Sequence, residues 1–215
     1  MKKVILILGN GPWRGVEFLP ELAAQADYII AANGGFARAR RLGLRVDLVV
    51  GDLDSLGPEE QAELKASGIK TVVHPRAKDQ TDLELALEEA LKLGPEKIRL
   101  FGALGARLDQ SLANIFILEK AARLGVEAEI LSGRERLYLV HGRLELPEAE
   151  VEVGDLVSLL SLTEEVGGLR TWGLEYPLRG ESLVRASSRG ISNRVVALPA
   201  GVALKRGLLL VIHRR

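Results

Sequence analysis

Short apolar segments alternate with longer segments of helical period along the first 132 residues of the chain. The apolar segments predict buried strands at Val4–Leu8, Tyr28–Ala32, Leu48–Val50, Thr71–Val73, Ile98–Phe101 and Ala128–Leu131. Apolar residues at helical spacing predict helices at Pro58–Ser67, Asp82–Leu93 and Ser111–Leu124. This alternation is typical of an α/β domain with a parallel sheet.

Four glycines, Gly43, Gly68, Gly94 and Gly125, stand where helices are expected to end. The residue after a helix often adopts a left-handed backbone conformation, which glycine reaches at a lower cost than other residues. The glycines therefore support the predicted helix ends.

The pattern changes beyond Gly133, where short β-rich segments are separated by Gly, Pro and Ser without a helical period. We predict strands there at Arg136–Val140, Leu156–Leu160, Val195–Leu198 and Leu208–His213. The sequence thus predicts two domains, an α/β domain over residues 1–132 and an all-β domain over residues 133–215, with the boundary near Ser132–Arg134.

The composition is that of a globular protein, with 47% hydrophobic and 27% charged residues among 215. Acidic and basic side chains number 29 each, so no global field attracts nucleic acid or an anionic membrane. The absence of cysteine excludes disulfides, thiolate nucleophiles and cysteine-bound zinc. No apolar stretch reaches the ~20 residues that span a bilayer, and we expect a cytoplasmic protein.

Two carboxylates, Asp52 and Asp54, directly follow the apolar segment Leu48–Val50. In an extended chain, residues i and i+2 point the same way, so the two side chains are placed to share one cation. The carboxyl end of a parallel strand is also where open α/β sheets bind ligands. The alternative is a polar turn whose Asp or Ser caps the helix that starts at Pro58.

A second polar segment, Lys78-Asp79-Gln80-Thr81-Asp82, precedes the predicted helix Asp82–Leu93. Thr81 and Glu84 have the spacing of a capping box, which by itself accounts for part of the pattern. The helix N-terminus beside Lys78 is also a favourable place for phosphate oxygens, and Asp79 with Asp82 is suited to a metal site. Both interpretations stay open at this point.

Two glycine-bearing loops follow predicted strands. In Gly102–Asp109, glycine lets backbone N–H groups approach a ligand, Arg107 is suited to bidentate phosphate binding, and Asp109 is either functional or a helix cap. Asn33-Gly34-Gly35 is either a tight turn or a nucleotide-contacting loop.

Together these segments resemble the thiamine pyrophosphokinase family, whose catalytic domain carries a Gly-Gly turn, G-D-x-D-S, K-D-x-T-D and G-x-x-G-x-R-x-D in this order. Here the motifs stand at Gly34-Gly35, Gly51–Ser55, Lys78–Asp82 and Gly102–Asp109. Trp172 and the pair Ser192-Asn193 are similar to the family's thiamine-site signatures.

The resemblance implies an enzyme that transfers a diphosphate group from ATP, its co-substrate, to thiamine, giving thiamine diphosphate and AMP. It implies an α/β nucleotide-binding domain and a β-sandwich, in a homodimer with active sites between subunits. Asp52, Asp54 and Asp79 would hold Mg²⁺, with Asp82 and Asp109 completing the acidic, catalytic cluster. ATP would contact Asn33, Gly34, Gly35, Lys78, Thr81 and Arg107. Thiamine would contact Trp172, Ser192, Asn193 and Gln110, with Trp172 stacked on its cationic ring.

Three positions depart from the family pattern: Asn33 stands for a usual aspartate, Ala106 for a glycine and Gln110 for a histidine. An asparagine can accept a hydrogen bond but carries no charge. The loss of one carboxylate at position 33 could therefore change the number of bound metal ions or a contact with the substrate. The alternatives are a diphosphokinase for another heterocyclic alcohol such as a pterin, a nucleotide-sugar transferase with a D-x-D metal motif, and a non-catalytic protein that binds thiamine diphosphate.

Overall fold

The computed structural model describes residues 3–105 and 107–215. Ala106, one of the positions that depart from the family pattern, lies outside this part of the chain. The fold divides into two compact units, one ending at Gly133 and the other formed by Arg134–Arg215. Each unit has its own hydrophobic core.

The first unit is built on a parallel sheet of six strands. The strands are β1 (Val4–Leu8), β2 (Tyr28–Ala32), β3 (Leu48–Gly51), β4 (Lys70–Val73), β5 (Lys97–Phe101) and β6 (Glu127–Ser132). They pair in the order β6-β5-β1-β2-β3-β4, and every pair is parallel. The predicted parallel α/β architecture is therefore confirmed.

Five helices connect these strands: α1 (Leu19–Ala24), α2 (Gly35–Arg41), α3 (Pro58–Ser67), α4 (Asp82–Lys92) and α5 (Leu108–Arg123), with a single 3-10 turn at Val16–Phe18. Their apolar faces cover a sheet whose central strands are almost completely buried, as for Ile7 and Ile30, which are paired across β1 and β2. None of the helices in the described part of the chain is long and apolar enough to cross a lipid bilayer.

The strand order creates a switch point between β1 and β5. The chain runs outward from β1 to β4, returns to the other side of β1 with β5, and ends at β6. The loops after β1 and β5 therefore leave the sheet in opposite directions, which opens a crevice at its carboxyl edge. Polar residues that follow the strands gather at this edge.

Two helices of this unit, α1 and α2, were not predicted. They have six and seven residues, which is too short for a helical period to stand out in the sequence. The start predicted for the last helix, Ser111, is wrong by three residues, since α5 begins at Leu108. The four glycines expected at helix ends all have a positive φ, between 63° and 71°.

The second unit contains eight strands: β7 (Glu135–Val140), β8 (Arg143–Glu145), β9 (Leu156–Ser161), β10 (Glu165–Trp172), β11 (Arg179–Val184), β12 (Asn193–Arg194), β13 (Gly201–Ala203) and β14 (Leu209–Arg214). They form an antiparallel layer β12-β9-β14-β7 and a second antiparallel layer β11-β10-β13-β8. Buried residues of both layers, such as Val211 and Leu169, share one core. The unit is therefore a β-sandwich.

One predicted strand of this unit is wrong, and five observed strands were missed. Val195–Leu198 forms no strand, and only Val195 makes an isolated bridge, to Leu174. The missed strands are β8, β10, β11, β12 and β13. Of these, β8, β12 and β13 have only two or three residues, and β10 contains Gly167-Gly168 and shifts its register against β11. Glycine and a register shift both break the period-2 pattern by which a strand is recognised.

Candidate active site

A cleft of about 600 Å³ opens at the carboxyl edge of the parallel sheet. Its walls are the loops after β1, β2, β3 and β5, together with the beginnings of α4 and α5. Parallel strands present these loops on one side, so residues that are far apart in sequence meet here. The sequence predicted this location from the polar residues that follow the strands.

Asn33 lies at the centre of the polar wall, directly after β2. Its side chain is only 4% exposed, and its backbone has a φ of 47°, a left-handed conformation that asparagine tolerates better than most residues. Its Nδ2 donates hydrogen bonds of 2.8 Å to Asp52, 3.1 Å to Asp54 and 2.8 Å to Asp82. Two carboxylates from the loop after β3 and one from the first turn of α4 therefore converge on one amide.

Asp52 and Asp54 do come together, but not through the extended backbone that we expected. Leu53 between them has a φ of 62°, in the left-handed region, while its side chain packs against the hydrophobic core. The Asp54 N–H donates to Asp52 Oδ1 at 3.2 Å, which closes a tight turn. Packing of Leu53 thus holds a strained residue in place and aims both carboxylates into the cleft.

Lys78 bridges two members of this carboxylate group. Its Nζ lies 3.0 Å from Asp52 Oδ2 and 3.0 Å from Asp82 Oδ1, and its side chain is mostly buried. Burial alone favours the neutral form of Asp52, but the hydrogen bonds from Lys78 and from the Asp54 backbone prevail and lower the pKa of Asp52 to about 2. Burial likewise opposes the charge of Lys78, and its carboxylate partners raise the Lys78 pKa above its ordinary value. Both groups are charged at neutral pH.

Glycines make this convergence possible. A Cβ at Gly51 would lie 3.1 Å from Asn33 Cβ and 3.2 Å from Asp82 Cγ. A Cβ at Gly35 would lie 2.1 Å from the Leu8 carbonyl oxygen, so glycine alone lets α2 begin against the end of β1. Gly34 and Gly35 do not belong to the cleft wall. In the structure, Gly34 and Gly35 allow close packing behind Asn33.

Two of the predicted acidic residues stand apart from the group at Asn33. Asp79 is exposed and does not belong to the cleft wall. Asp109 is exposed in the first turn of α5, where Arg107 holds it in a forked ion pair of 2.6 and 3.2 Å. The hydrogen bond from Arg107 is the main cause of a lowered Asp109 pKa. The structure therefore places Asp82, and neither Asp79 nor Asp109, beside Asp52 and Asp54.

The other predicted residues of this unit lie around the cleft. Arg107, Gln110 and Thr81 line it, as does Arg76, whose Nε is 3.5 Å from Asp54 Oδ2. Thr81 caps α4 by accepting the Glu84 N–H at 3.1 Å, as predicted. The reciprocal half of the capping box was wrong, since the Glu84 carboxylate accepts a 2.6 Å bond from Lys120.

The loop after β1 is a part of the cleft that the sequence interpretation missed. Gly9, Asn10 and Gly11 line it, and the Gly11 N–H donates to the Gly102 carbonyl at 2.9 Å. A Cβ at Gly9 or Gly11 would lie 2.6 or 2.5 Å from that carbonyl oxygen. The available signal was a Gly-x-Gly, Gly9-Asn10-Gly11, directly after the predicted strand Val4–Leu8.

Trp172, at the end of β10 in the second unit, has a neighbour on its ring. The Arg143 guanidinium lies over the indole, 4.4 Å from the ring centroid, which is cation–π geometry. Gly201, paired with Trp172 across β13, leaves room for the indole because a Cβ there would lie 2.4 Å from Trp172 Cζ2. The indole is held on the sheet and is already close to one cation.

Ser192 and Asn193 hold a loop of the sandwich. The Asn193 side chain is 8% exposed and bonds to both the N–H (3.0 Å) and the carbonyl (2.8 Å) of Tyr176. Ser192 has a φ of 59°, and its N–H donates to Ser158 Oγ at 3.1 Å. These contacts give Ser192 and Asn193 a structural role in the loop. A contact of either residue with thiamine stays a prediction.

No group of three or more His, Cys, Asp or Glu side chains within residues 3–105 and 107–215 has the arrangement of a formed metal site. The carboxylates of Asp52, Asp54 and Asp82 surround the amide nitrogen of Asn33 instead. Their oxygens are nevertheless the type of ligand that Mg²⁺ prefers.

Two family profiles match this chain in succession. The profile described as "Thiamin pyrophosphokinase, catalytic domain" matches residues 19–130, and "Thiamin pyrophosphokinase, vitamin B1 binding domain" matches residues 143–209. The first covers the unit with the cleft, and the second covers most of the sandwich that carries Trp172.

Individual proteins are similar over the whole length. The thiamine pyrophosphokinase of Bacillus subtilis (strain 168) is 26% identical over 219 residues, which cover 98% of each chain. The crystal structure of thiamine pyrophosphokinase from Bacillus subtilis superposes with a TM-score of 0.86 at 25% identity, covering 99% of both chains. A thiamin pyrophosphokinase family protein from Enterococcus faecalis gives a TM-score of 0.84 at 26% identity, with the same coverage.

These matches do not favour the pterin diphosphokinase, the nucleotide-sugar transferase or the non-catalytic binding protein that we had kept as alternatives. They agree with the motifs that the sequence carries at the cleft and with the architecture of both units. The chain therefore belongs to the thiamin pyrophosphokinase family of ATP-dependent diphosphotransferases.

Proposed function

We propose that the cleft at the carboxyl edge of the parallel sheet is where this chain transfers a diphosphate group from ATP to the hydroxyl of thiamine. The observation that carries the proposal is the convergence of Asp52, Asp54 and Asp82 on one wall of that cleft, where Lys78, which is not itself part of the wall, pairs with two of them. Acidic and basic groups side by side suit a polyphosphate and its cation better than an uncharged ligand.

The residues fit a magnesium ion bound with the nucleotide. Oxygens of Asp52, Asp54 and Asp82 lie within 2.8–3.1 Å of a single atom, Asn33 Nδ2, so small side-chain rotations suffice to place them around a cation. The family resemblance adds Asp79, which sits next to Lys78 in the chain and is free to turn because it is exposed. When bound, the ion would neutralise charge on the transferred phosphates.

Three basic side chains are placed to bind the phosphates. Lys78 is already paired with the carboxylate group, whereas Arg76 and Arg107 line the cleft with 85% and 67% exposed side chains. Arg107 donates to Asp109 from Nε and Nη2, and the opposite edge of its planar guanidinium, formed by Nη1 and Nη2, is suited to bidentate binding of a phosphate. Gly9 and Gly11 allow backbone groups to approach the nucleotide closely.

In the reaction, the thiamine oxygen forms a bond to the β-phosphorus, and the bond from that phosphorus to the α-phosphate oxygen breaks, so AMP leaves. Holding both substrates in line and stabilising the charge on the transferred group would supply most of the rate acceleration. A carboxylate accepts the hydroxyl proton, and the candidates are Asp79 and Asp109. Both are exposed and lie outside the hydrogen-bonded group around Asn33, but Asp109 would first have to leave its ion pair with Arg107 to accept the proton.

For thiamine we propose contacts with Trp172, Ser192, Asn193 and Gln110. The aromatic face of Trp172 suits a cationic thiazolium, and Arg143 already occupies a cation position over that face. The vitamin B1-binding profile over residues 143–209 supports the assignment of this unit. A location in the cytoplasm, where ATP is available, stays a prediction of the sequence.

We further propose a homodimer in which both subunits contribute to each active site. Support comes from α5, where Leu108, Leu112 and Phe116 have exposures of 72%, 44% and 56%. Their spacing of four residues puts them on one helix face, and α5 begins at the cleft with Arg107 and Gln110. A dimer that buries this face would dissociate when Phe116 is replaced by Glu, as sedimentation velocity would detect.

The decisive assay follows AMP and thiamine diphosphate by chromatography after mixing purified protein with ATP, Mg²⁺ and thiamine. We expect the two products in equal amounts, and no product with EDTA. ATP labelled at the β-phosphorus distinguishes this reaction from two successive transfers of a single phosphate. Transfer of the diphosphate group carries the label into thiamine diphosphate, whereas successive transfers of the γ-phosphate leave the label in ADP. Release of ADP in place of AMP would contradict the proposed reaction.

Variants connect the reaction to the cleft. Asp52→Asn and Asp82→Asn keep the side-chain shape but remove charge, and we expect each to reduce kcat/KM by at least about 100-fold. The matched control is Glu63→Gln, which removes a carboxylate from a surface ion pair with Arg40. Equal activity in all three variants would remove the carboxylate group from the mechanism.

A further inference from the structure

Asn33 makes an unusual set of contacts, because one amide nitrogen faces three carboxylates. Nδ2 carries two hydrogens, so the bonds of 2.8 Å to Asp52 and 2.8 Å to Asp82 use both, and the 3.1 Å contact with Asp54 shares one of them. Asn33 itself is 4% exposed, so water offers little compensation for a hydrogen bond that its amide loses. The partially positive N–H hydrogens of the Asn33 amide therefore attract all three carboxylates.

The charges around Asn33 explain why such a centre is needed. Three carboxylates bring three negative charges to one place, Lys78 bridges only two of them at 3.0 Å each, and Arg76 reaches the third at 3.5 Å from an exposed position. Asp52 and Asp82 are 11% and 22% exposed, so water screens their mutual repulsion only partly, whereas Asp54 is 44% exposed. Without the N–H donors of Asn33 the carboxylates would move apart.

The backbone of Asn33 fixes where these donors stand. Its N–H donates to the Val50 carbonyl at 2.8 Å, and its carbonyl accepts the Phe36 N–H at 3.1 Å. Any adjustment to a ligand must therefore come from the side chain, by turning the amide so that Oδ1 takes the place of Nδ2. Oδ1 is held only weakly, by the Ser55 N–H at 3.4 Å.

We propose that Asn33 is a positioning residue that assembles the three carboxylates before a divalent cation arrives, and that it thereby lowers their affinity for the cation. This rests on the proposed function, in which Asp52, Asp54 and Asp82 hold the metal. The cation must displace the Nδ2–H bonds before it occupies their place, so part of its binding free energy is lost in the exchange. The same hydrogen bonds keep the three carboxylates in their arrangement when no cation is bound.

The test is Mn²⁺ binding followed by electron paramagnetic resonance, without ATP or thiamine, for the wild type and Asn33→Asp. The aspartate removes the donors and adds a fourth carboxylate, so we expect a Kd about tenfold lower than in the wild type. The control for charge is Gln25→Glu, which adds the same charge at an exposed position outside the cleft wall, and its Kd should change less than about twofold. An unchanged Kd in Asn33→Asp, or an equal decrease in Gln25→Glu, would overturn the proposal.

Thermal unfolding with EDTA and with Mn²⁺ gives a second measurement. Asn33→Asp and Asn33→Ala should both melt below the wild type in EDTA and gain more from Mn²⁺ than it does, because the cation then replaces the missing donors. Variants that melt at the wild-type temperature in EDTA would show that Asn33 does not hold the group together. If Asn33→Asp does not fold, the Asn33→Ala comparison decides.

The outcomes also separate this inference from the proposed function. Neither measurement uses ATP or thiamine, so a wild-type protein that makes no AMP would refute the reaction while leaving the role of Asn33 to be judged from Mn²⁺ binding. Conversely, an active, EDTA-sensitive enzyme whose Asn33→Asp variant binds Mn²⁺ like the wild type would refute only the role of Asn33.

Discussion

The guanidinium of Arg143 lies over the indole of Trp172, 4.4 Å from the ring centroid, at the place where a cationic ligand would stack. Arg143 also forms a 2.9 Å ion pair with Glu145, and its side chain is 66% exposed. An exposed cation–π contact is weak, so a ligand can displace the arginine while the ion pair gives it a second resting position.

Replacing Arg143 with Ala should strengthen thiamine binding by about threefold. The variant lacks a competing cation–π contact of about 0.5–1 kcal/mol, and it also lacks a positive charge that repels the cationic ring of thiamine. Fluorescence of Trp172 in a Trp13→Phe background reports this binding, since the chain has 2 tryptophans. The control for charge alone is Arg170→Ala, because Arg170 lies in β10, the strand that carries Trp172. Weaker binding in Arg143→Ala would mean that the arginine helps to hold the substrate.

Acidification should destabilise the first unit through Asp52. Its folded pKa of about 2 lies below its ordinary value of 3.8, so the stabilisation is present above about pH 4 and is lost as the pH falls toward 2. Lys78→Met should reduce this pH dependence and lower the melting temperature at neutral pH by about 4 °C. Circular dichroism melts between pH 2 and 6 test this, with Lys65→Met as the surface control. A similar pH dependence in both variants would contradict the importance of Lys78.

The cap of α4 should contribute a modest stability. Thr81→Ala removes the oxygen that accepts the Glu84 N–H, and we expect a loss of about 1 kcal/mol in the free energy of unfolding. Thr81→Ser keeps the oxygen and should stay within about 0.5 kcal/mol of the wild type. Urea unfolding curves measure both. A large loss in the serine variant would mean that the methyl group, and not the cap, is what matters.

Gly35, the first residue of α2, and Gly43, which follows the end of α2, should differ sharply when replaced by alanine. At Gly35 the new Cβ would meet the Leu8 carbonyl oxygen at 2.1 Å, a backbone atom that cannot give way, and we expect a loss of about 3 kcal/mol or no folding. At Gly43 the Cβ would meet nothing within 4 Å, and only the φ of 65° opposes alanine, at about 1 kcal/mol. Denaturant midpoints compare the two; equal losses would refute the steric argument for Gly35.

Much of the fold could be predicted because its elements follow the simplest rules. Strands β1 and β2 and helix α3 have the predicted bounds, since uninterrupted apolar runs and a Pro start with a Gly stop leave few alternatives. Short elements such as α2, and strands interrupted by glycine such as β10, could not be found, because tertiary packing and not local pattern makes them stable.

The candidate site was predictable in its members but not in its arrangement. Motif spacing identified Asp52, Asp54, Lys78 and Asp82 as polar residues near the carboxyl edge of one sheet. The family resemblance also grouped Asp79 and Asp109 with the carboxylates, whereas Asp79 is exposed outside the cleft wall and Asp109 pairs with Arg107. Which carboxylates meet depends on side-chain rotations and on partners from distant segments, and neither is written in local spacing.

By itself the sequence determined the parallel α/β domain, the change to β structure after Gly133, and the family, because hydrophobic periodicity and motif order are local properties of the chain. Only the tertiary structure decided that Asn33 stands among three carboxylates and that Arg143 covers Trp172. The left-handed turn at Leu53 and the close approaches at Gly35 and Gly51 position the side chains around Asn33, and the close approach at Gly201 makes room for the indole of Trp172. Such turns and approaches are stable only when the packed core holds them in place.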